Sequence, residues 1–326
     1  MIRVLVTGGC GFIGTNLIEY LLDVTEWNIS VLDNLSVGKF EYLKSIKGYS
    51  EERIDFFKGD ITDKEDVEES IEGCEYVINL AAQTSVIDSI DHPKEDAEIN
   101  ILGTINLLKS SVENNVSKFT QASSAAPLGE QEMPIHERKV PQPLSPYGAS
   151  KLACEGYCSA FSGSYDLETV ALRFSNVYGP KSWHKGSVVA KFIKQILDNE
   201  VPIIYGDGGQ TRDFIHTEDI SKALYLATVT ELKDSFELFQ IATGVETSIN
   251  KLYEVIEEKM SENGFEVPEP KYGEERAGEI YRNYADISKA ENILDYEPEI
   301  DLEEGIEGCI EWFMNNYRPF EIDKRE

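Results

Sequence analysis

The stretch RVLVTGGCGFIG, Arg3 to Gly14, joins an apolar run to a second apolar pattern through three glycines, Gly8, Gly11 and Gly14. Arg3 to Thr7 reads as a strand, and Phe12 to Leu22 repeats its apolar residues at helical spacing. Glycines between a strand and a helix let the backbone approach a pyrophosphate, whose charge would rest on the free N–H groups of the helix N-terminus. A glycine-rich turn without a ligand is the ordinary alternative, and strand, spacing and helix together disfavour it. Asp33 closes the next run, Ile29 to Asp33, nineteen positions after Gly14. A carboxylate there accepts hydrogen bonds from both hydroxyls of an adenosine ribose and repels a 2′-phosphate. The first base after it is Lys39, so the pattern favours NAD over NADP.

Outward from this segment, strand-like runs recur at Ile54 to Lys58, Tyr76 to Ala81 and Phe119 to Ser123, with helical patterns between them. That alternation predicts βαβ units and a doubly wound α/β fold of the Rossmann type, its parallel sheet covered on both faces. Ser145 as N-cap and Pro146 at the first helical position lead into a helix over Tyr147 to Phe161, and a second apolar stripe runs from Glu95 to Asn114. Beyond Pro180 the pattern turns irregular, with Gly186, Gly206, Gly208 and Gly209 and then Pro268 and Pro270. A smaller α/β substrate-binding domain is expected there, with Phe214 to Thr230 and Leu302 to Asn316 returning to the main domain. The expected division is 1–178, 214–243 and 287–318 for the cofactor domain, and 179–213 and 244–286 for the substrate domain.

No apolar run of the 326 residues reaches membrane-spanning length, and Met1 leads straight into Ile2 to Val6 without a basic leader, so a cytoplasmic location is expected. The formal charge of -30 repels nucleic acid, although a few arginines and helix N-termini can still hold a small anion locally. Cys10, Cys74, Cys154, Cys158 and Cys309 are odd in number and scattered, as expected of free thiols. His92, His136, His184 and His216 stand apart from one another and from the cysteines, so no metal site is expected.

Tyr147 and Lys151 share one helix face a turn apart. A phenol titrates near ~10 and serves as a base near neutrality only when neighbouring cations favour the phenolate. The spacing alone is weak, because sixteen tyrosines and 30 Lys and Arg would give such pairs by chance. Context strengthens it: Tyr147 is the only tyrosine with Lys four residues on, and it follows both the Ser145–Pro146 helix start and the run QASSAA.

The segments TGGCGFIG, VLDNLSVG, KGDI, NLAAQ, SPYGASK, RFSNVYGP and GDGGQTRDFIH, in this order and spread over nearly the whole chain, resemble the extended short-chain dehydrogenases/reductases, most closely the nucleotide-sugar 4-epimerases. The resemblance implies a cofactor site formed by Gly8, Gly11, Phe12, Ile13, Gly14, Asp33, Asn34, Ser36, Gly38, Asp60, Ile61, Leu80, Ala81, Ala82, Gln83, Asn100, Ser123, Tyr147 and Lys151. Asp60 and Ile61 would flank the adenine, and Asn100 would support the strand ends. Ser124 resembles the family's hydrogen bonder to the substrate 4-oxygen, with Ser123 as its nearest competitor. The run SSAAPLG departs from the family in carrying Pro127 and Leu128 where an aromatic residue commonly precedes the glycine.

Sugar dehydratases of the family carry an Asp-Glu pair just after this serine or threonine, and the related decarboxylases a Glu; here those places read Ala125 and Ala126. Without a carboxylic acid/base, return of the hydride to C4 is the simplest outcome. The resemblance thus implies C4 epimerisation of a UDP-sugar through a 4-keto sugar, with tightly held NAD and a homodimer formed by the helices of Glu95 to Asn114 and Tyr147 to Phe161. Asn176, Arg212 and Arg276 would hold the pyrophosphate, with Ile203, Tyr205, Ser187 and Val188 near the base and Thr84 and Ser85 near the sugar. Asn283 occupies the place where a tyrosine restricts the pocket of UDP-glucose enzymes. Its smaller side chain points to UDP-GlcNAc/UDP-GalNAc, with UDP-Glc/UDP-Gal also open. Lys181 and Lys185 leave open a UDP-glucuronate 4-epimerase, whose substrate carboxylate would want such a cation. A nucleotide-sugar dehydratase or reductase, and a catalytically silent NAD-binding scaffold or sensor, are the rival readings.

Overall fold

Seven runs pair into one parallel sheet: β1 (Arg3–Thr7), β2 (Asn28–Asp33), β3 (Ile54–Lys58), β4 (Tyr76–Asn79), β5 (Lys118–Ser124), β6 (Glu168–Phe174) and β7 (Phe236–Ile241). The computed structural model describes residues 2–182, 184–275 and 280–317. The strand order is β7-β6-β5-β4-β1-β2-β3, with Val6 of β1 opposite Val31 of β2 on one side and Ile78 of β4 on the other. Successive side chains leave opposite faces of a strand. Val4 and Val6 accordingly join Leu17, Ile18 and Leu224 on one face of the sheet, while Leu5 joins Val67, Leu107 and Leu108 on the other, and these two layers make the first core. With both faces covered, the strands read as continuous apolar runs.

The order reverses between β1 and β4, where a crevice opens at the strands' carboxyl ends. A buried polar ladder fixes those ends. Thr7 Oγ1 donates to Asn79 Oδ1 at 2.6 Å, Asn79 Nδ2 donates to Gln121 Oε1 at 2.9 Å, and Thr7 Oγ1 accepts from Ala81 N at 3.2 Å. Each partner satisfies a polar atom that burial would otherwise penalise.

The helix Pro146–Tyr165 starts as its sequence predicts: Ser145 Oγ accepts from Gly148 N at 3.1 Å, and Pro146 takes the first position. Its inner face carries Glu155, which grips Arg173 of β6 through two bonds of 2.8 and 2.7 Å and accepts from Ser123 Oγ of β5 at 2.6 Å. The stripe from Glu95 to Asn114 is not one helix. It divides into Pro93–Ala97, a π-helical turn at Glu98–Leu102 and Gly103–Glu113. Asn100, on the π turn, is buried between Gln83, Asp96 and Ser150.

Beyond β6 the chain builds a second core. Asn176–Tyr178 pairs in parallel with Phe214–His216, Thr211–Arg212 pairs antiparallel with Thr247–Ser248, and Ile203–Tyr205 pairs in parallel with Lys271–Gly273. The helices Val188–Leu197, Ile249–Glu262 and Leu302–Asn316 enclose Ile193, Phe192, Leu252, Ile256, Ile310 and Phe313. This corrects one expectation. The helix Leu302–Asn316, assigned from sequence to the cofactor domain, presents Ile306, Cys309, Ile310 and Phe313 to the second core, where the stripe of Ile249–Glu262 receives it. Ile287, Ala290 and Leu294 do pack in the first core. All five cysteines are free and buried, and burial pushes the thiols of Cys74 and Cys309 up to about 11 and about 12. Among the described residues no helix is long and apolar enough to cross a membrane.

Two stability predictions follow from buried charge and proton binding. Removing one partner of a buried ion pair strands the other, so Glu155→Ala should cost about 3–5 kcal/mol in urea unfolding, whereas Glu155→Met with Arg173→Met should recover most of it. His216 is 8% exposed, and its Nδ1 accepts from Glu218 N at 3.3 Å at the start of the helix Thr217–Val229. Burial pushes it down to about 4. The unfolded chain takes up a proton near ~6.5 that the folded chain refuses, so this contribution is complete above that pH and is lost as pH falls towards the folded value. Between about pH 7.5 and about pH 5, His216→Gln should reduce the loss of unfolding free energy by about 2 kcal/mol relative to the parent protein.

Candidate active site

Over the carboxyl ends of β1, β2 and β4 lies a cavity of about 470 Å³. The helix Phe12–Val24 begins at Gly11 with no capping side chain and no acid in its first turn, which leaves its N–H groups to an anion. Two glycines make the approach possible. Gly8 has φ +67°, and a Cβ on Gly14 would stand 2.3 Å from Gly8 O, so helix and strand come as near as backbones can.

Asp33 closes one end of this cavity, with Oδ2 accepting from Cys10 N at 2.9 Å and Oδ1 from Leu35 N at 2.8 Å. Burial pushes its carboxyl up, and the two backbone bonds offset only part of that. Asp60 shifts the other way. Burial raises it, but bonds from Thr62 N, Asn34 Nδ2 and Thr62 Oγ1 outweigh burial and hold the carboxyl below its ordinary value.

Gly8, Gly11, Phe12, Ile13, Gly14, Asn34, Ser36, Gly38, Ile61, Leu80, Ala81, Ala82 and Gln83 all line this cavity with the two aspartates, as do Ser123, Tyr147 and Lys151. Asn100 does not line it. Its Oδ1 accepts from Gln83 N at 2.8 Å and its Nδ2 donates to Ser150 Oγ at 3.1 Å, so it braces the wall from behind. Ser85, expected near the sugar, lines this first cavity, and its hydroxyl caps the helix Val86–Asp91 by accepting from Asp88 N at 3.1 Å.

A second cavity, of about 520 Å³, lies beside the first, and Phe12, Ile13, Thr84, Ser123, Tyr147, Phe174 and Lys185 line both. Lys151 is 4% exposed; its Nζ donates to Ala122 O at 3.1 Å and lies 5.9 Å from the centre of the Tyr147 ring. The two serines have different surroundings. Ser123 Oγ donates to Glu155, whereas Ser124 Oγ accepts from Ala126 N at 3.1 Å and lines the second cavity. Pro127 and Leu128 form a buried 3-10 turn with Ala126, the local shape of the unusual SSAAPLG run.

Sequence reasoning missed Glu155. Its signal was the continuation of one helix face, Tyr147, Lys151 and Glu155 at intervals of four.

Asn176, Ser187, Val188, Ile203, Tyr205 and Arg212 line the second cavity, joined by Lys191, Phe192 and Gln210, which the sequence did not single out. The helix Val188–Leu197 opens towards it with no side-chain cap, and Lys191 Nζ lies 5.4 Å from the centre of the Tyr205 ring. No Asp or Glu lines this cavity among the described residues. An uncapped helix start beside Lys191 and Arg212, on a wall with no acid among its described lining residues, can receive phosphates.

Arg276 lies outside the described residues. Asn283 is not on the wall of the second cavity, which corrects its expected place beside the sugar; the backbone next to it is held at the Met133–Ile135 segment by Ile135 N donating to Tyr284 O at 3.0 Å. Lys181, expected to face the ligand, pairs instead with Glu19.

The family model described as GDP-mannose 4,6 dehydratase matches residues 5–309. A UDP-glucose 4-epimerase of Mycolicibacterium smegmatis is 33% identical over 330 residues, covering 96% of this chain and 99% of that one. The solved UDP-N-acetylglucosamine 4-epimerase of Methanobrevibacter ruminantium, in complex with UDP-N-acetylmuramic acid, superimposes with a TM-score of 0.89 at 36% identity, covering 96% of this chain and 98% of that one. The UDP-glucose 4-epimerase of Thermus thermophilus, solved with NAD, gives 0.84 at 32% identity, with 97% and 100% covered. A match that spans most of the chain from the glycine loop through both cores shows that this chain belongs to the GDP-mannose 4,6 dehydratase family, within the extended short-chain dehydrogenases/reductases.

Proposed function

We propose that the protein catalyses NAD-dependent 4-epimerisation of a UDP-hexose. The observation that carries this reading is the second cavity itself: it brings Tyr147 and Ser124 together and offers no carboxylic acid among its described lining residues. Elimination of water from a hexose needs a proton acceptor at C5 and a donor at C6. Ala125 and Ala126 supply neither.

The first cavity fits NAD. An uncapped helix N-terminus meets the pyrophosphate, a Cβ on Gly14 would close the approach, and the Asp33 carboxylate faces the adenosine ribose and repels a 2′-phosphate. NAD held there by the helix N-terminus and Asp33 would supply the hydride acceptor and donor for C4. Tyr147 takes the proton of the 4-hydroxyl and later gives it back; Lys151, anchored on Ala122 O, stabilises the phenolate by charge; Ser124 donates to the 4-oxygen. Arg212 and the start of the helix Val188–Leu197 hold the diphosphate, so the hexose can turn between hydride removal and return. Residues 179–213 and 244–286, with the C-terminal helix, act as the substrate domain. The 2-acetamido preference rested on Asn283 and draws no support from the cavity wall.

In the proposed homodimer the exposed apolar side chains Leu102 and Tyr157, on the segments that the sequence assigns to the seam, meet their copies, and Ile87 and Ile90 of the helix Val86–Asp91 join them.

Three measurements check these statements. Protein purified without added NAD should convert UDP-glucose, UDP-N-acetylglucosamine or UDP-glucuronate into its C4 epimer, followed by the anomeric proton in NMR. Tyr147→Phe should lower kcat by about 10²- to 10⁴-fold while the cofactor stays bound. A 4-keto sugar accumulating in place of an epimer would make the enzyme a dehydratase or oxidase, and no turnover of any nucleotide sugar would favour a scaffold. Leu102→Glu should shift the mass measured by light scattering from dimer towards monomer; an unchanged mass would place the interface elsewhere.

A further inference from the structure

Acids make up nearly one residue in five of this chain, yet none occurs between Glu168 and Asp198. That stretch holds Arg173, Lys181, His184, Lys185, Lys191 and Lys194. Arg173 and Lys181 pair with Glu155 and Glu19, and Lys194 donates to Lys185 O at 2.9 Å. Lys185 pairs with no carboxylate among the described residues, and its Nζ lies 5.8 Å from the centre of the Phe12 ring. It lines both cavities, as Tyr147 does. The ammonium therefore stands where a hexose meets the cofactor, apart from the base end marked by Tyr205 and Lys191.

We propose that Lys185 selects a nucleotide hexose that itself carries a carboxylate, attached at C5 or through an ether oxygen of the sugar. The inference rests on the epimerase reading above and names the substrate class of that same site. A neutral hexose leaves this ammonium half-buried, with the Phe12 face as its one stabilising contact among the described residues. Burial pushes Lys185 below the ordinary lysine value, a cost that an anionic ligand relieves. Its neighbour offers no help: His184 is held down to about 4 by burial and by the charges of Lys185 and Lys194, so it stays neutral near pH 7. A carboxylate in the second cavity, which has no acid among its described lining residues, gains a charge-assisted bond here. The overall negative charge of the protein acts from a distance and is screened by salt.

The test uses the holoenzyme with four substrates: UDP-glucuronate for a C5 carboxylate, UDP-N-acetylmuramate for an ether-linked one, and UDP-glucose and UDP-N-acetylglucosamine as neutral references. One of the two acidic sugars should have the highest kcat/KM. In Lys185→Met its kcat/KM relative to UDP-glucose should fall by about 10- to 100-fold. Lys185→Arg should keep the preference, which guards against a variant that merely folds poorly.

Three results would overturn the inference: a parent enzyme that epimerises neutral sugars but favours neither acidic one, an equal fall for all four substrates, which would assign the cation to the diphosphate, or loss of bound NAD in Lys185→Met, which would assign it to the cofactor. If no sugar is epimerised, the epimerase reading fails separately. Calorimetry then decides the charge selection, which stands if UDP-glucuronate or UDP-N-acetylmuramate binds more tightly than UDP-glucose and Lys185→Met erases the difference, and falls otherwise.

Discussion

The ion pair between Glu155 and Arg173 is the contact on which the reaction centre depends. Both side chains are at most 5% exposed, and Ser123 donates to the same carboxylate. Three elements thereby meet at one group: the helix that carries Tyr147 and Lys151, the strand that ends in Ser124, and the strand that leads to Asn176. Two charges taken out of water gain little net stability over a well-packed apolar trio, but their geometry is directional. A bidentate grip fixes the rotation of the helix about its axis, and that rotation sets where the phenol and the ammonium point. Lys151 Nζ on Ala122 O adds a second tether one turn earlier.

Electrostatics divides the molecule by range. Far from the site, twice as many acids as bases keep the surface negative. Close to it, the second cavity has no acid among its described lining residues, and two helix starts face the two cavities without side-chain caps. Short contacts dominate in a place that excludes water, whereas long-range repulsion fades over roughly 10 Å in salt. An acidic protein can therefore hold polyanionic ligands without any basic surface.

What could be read from the sequence was what a few neighbouring residues determine. The glycine loop, Asp33 at the end of β2, the Ser145 cap and the spacing of Tyr147 and Lys151 are local, and the structure places them in and around the first cavity. The choice between Ser123 and Ser124 was not local, since it depends on Glu155, thirty-two positions from Ser123. The π turn around Asn100 was hidden by an apolar stripe that fits a plain helix equally well. Leu302–Asn316 was recognised as a helix with correct ends, but its stripe does not say which of two cores it joins. Lys181 and Lys185 look alike in sequence; one finds Glu19 across the fold and the other finds no carboxylate among the described residues. Asn283 does not line the second cavity, because alignment of a motif does not fix where its loop stands relative to that cavity.

The five buried thiols are shared among the two faces of the sheet and the second core: Cys10 with the sheet face against the helix Phe12–Val24, Cys74 and Cys158 on the opposite face, Cys309 in the second core, and Cys154 beneath the polar cluster at Asn100. In the folded chain they are withdrawn from electrophiles, since burial suppresses the thiolate that would react. Alkylation therefore becomes a clock for opening, and because each core carries its own sulfur, the order in which the cysteines are modified gives the order in which the parts of this molecule come undone.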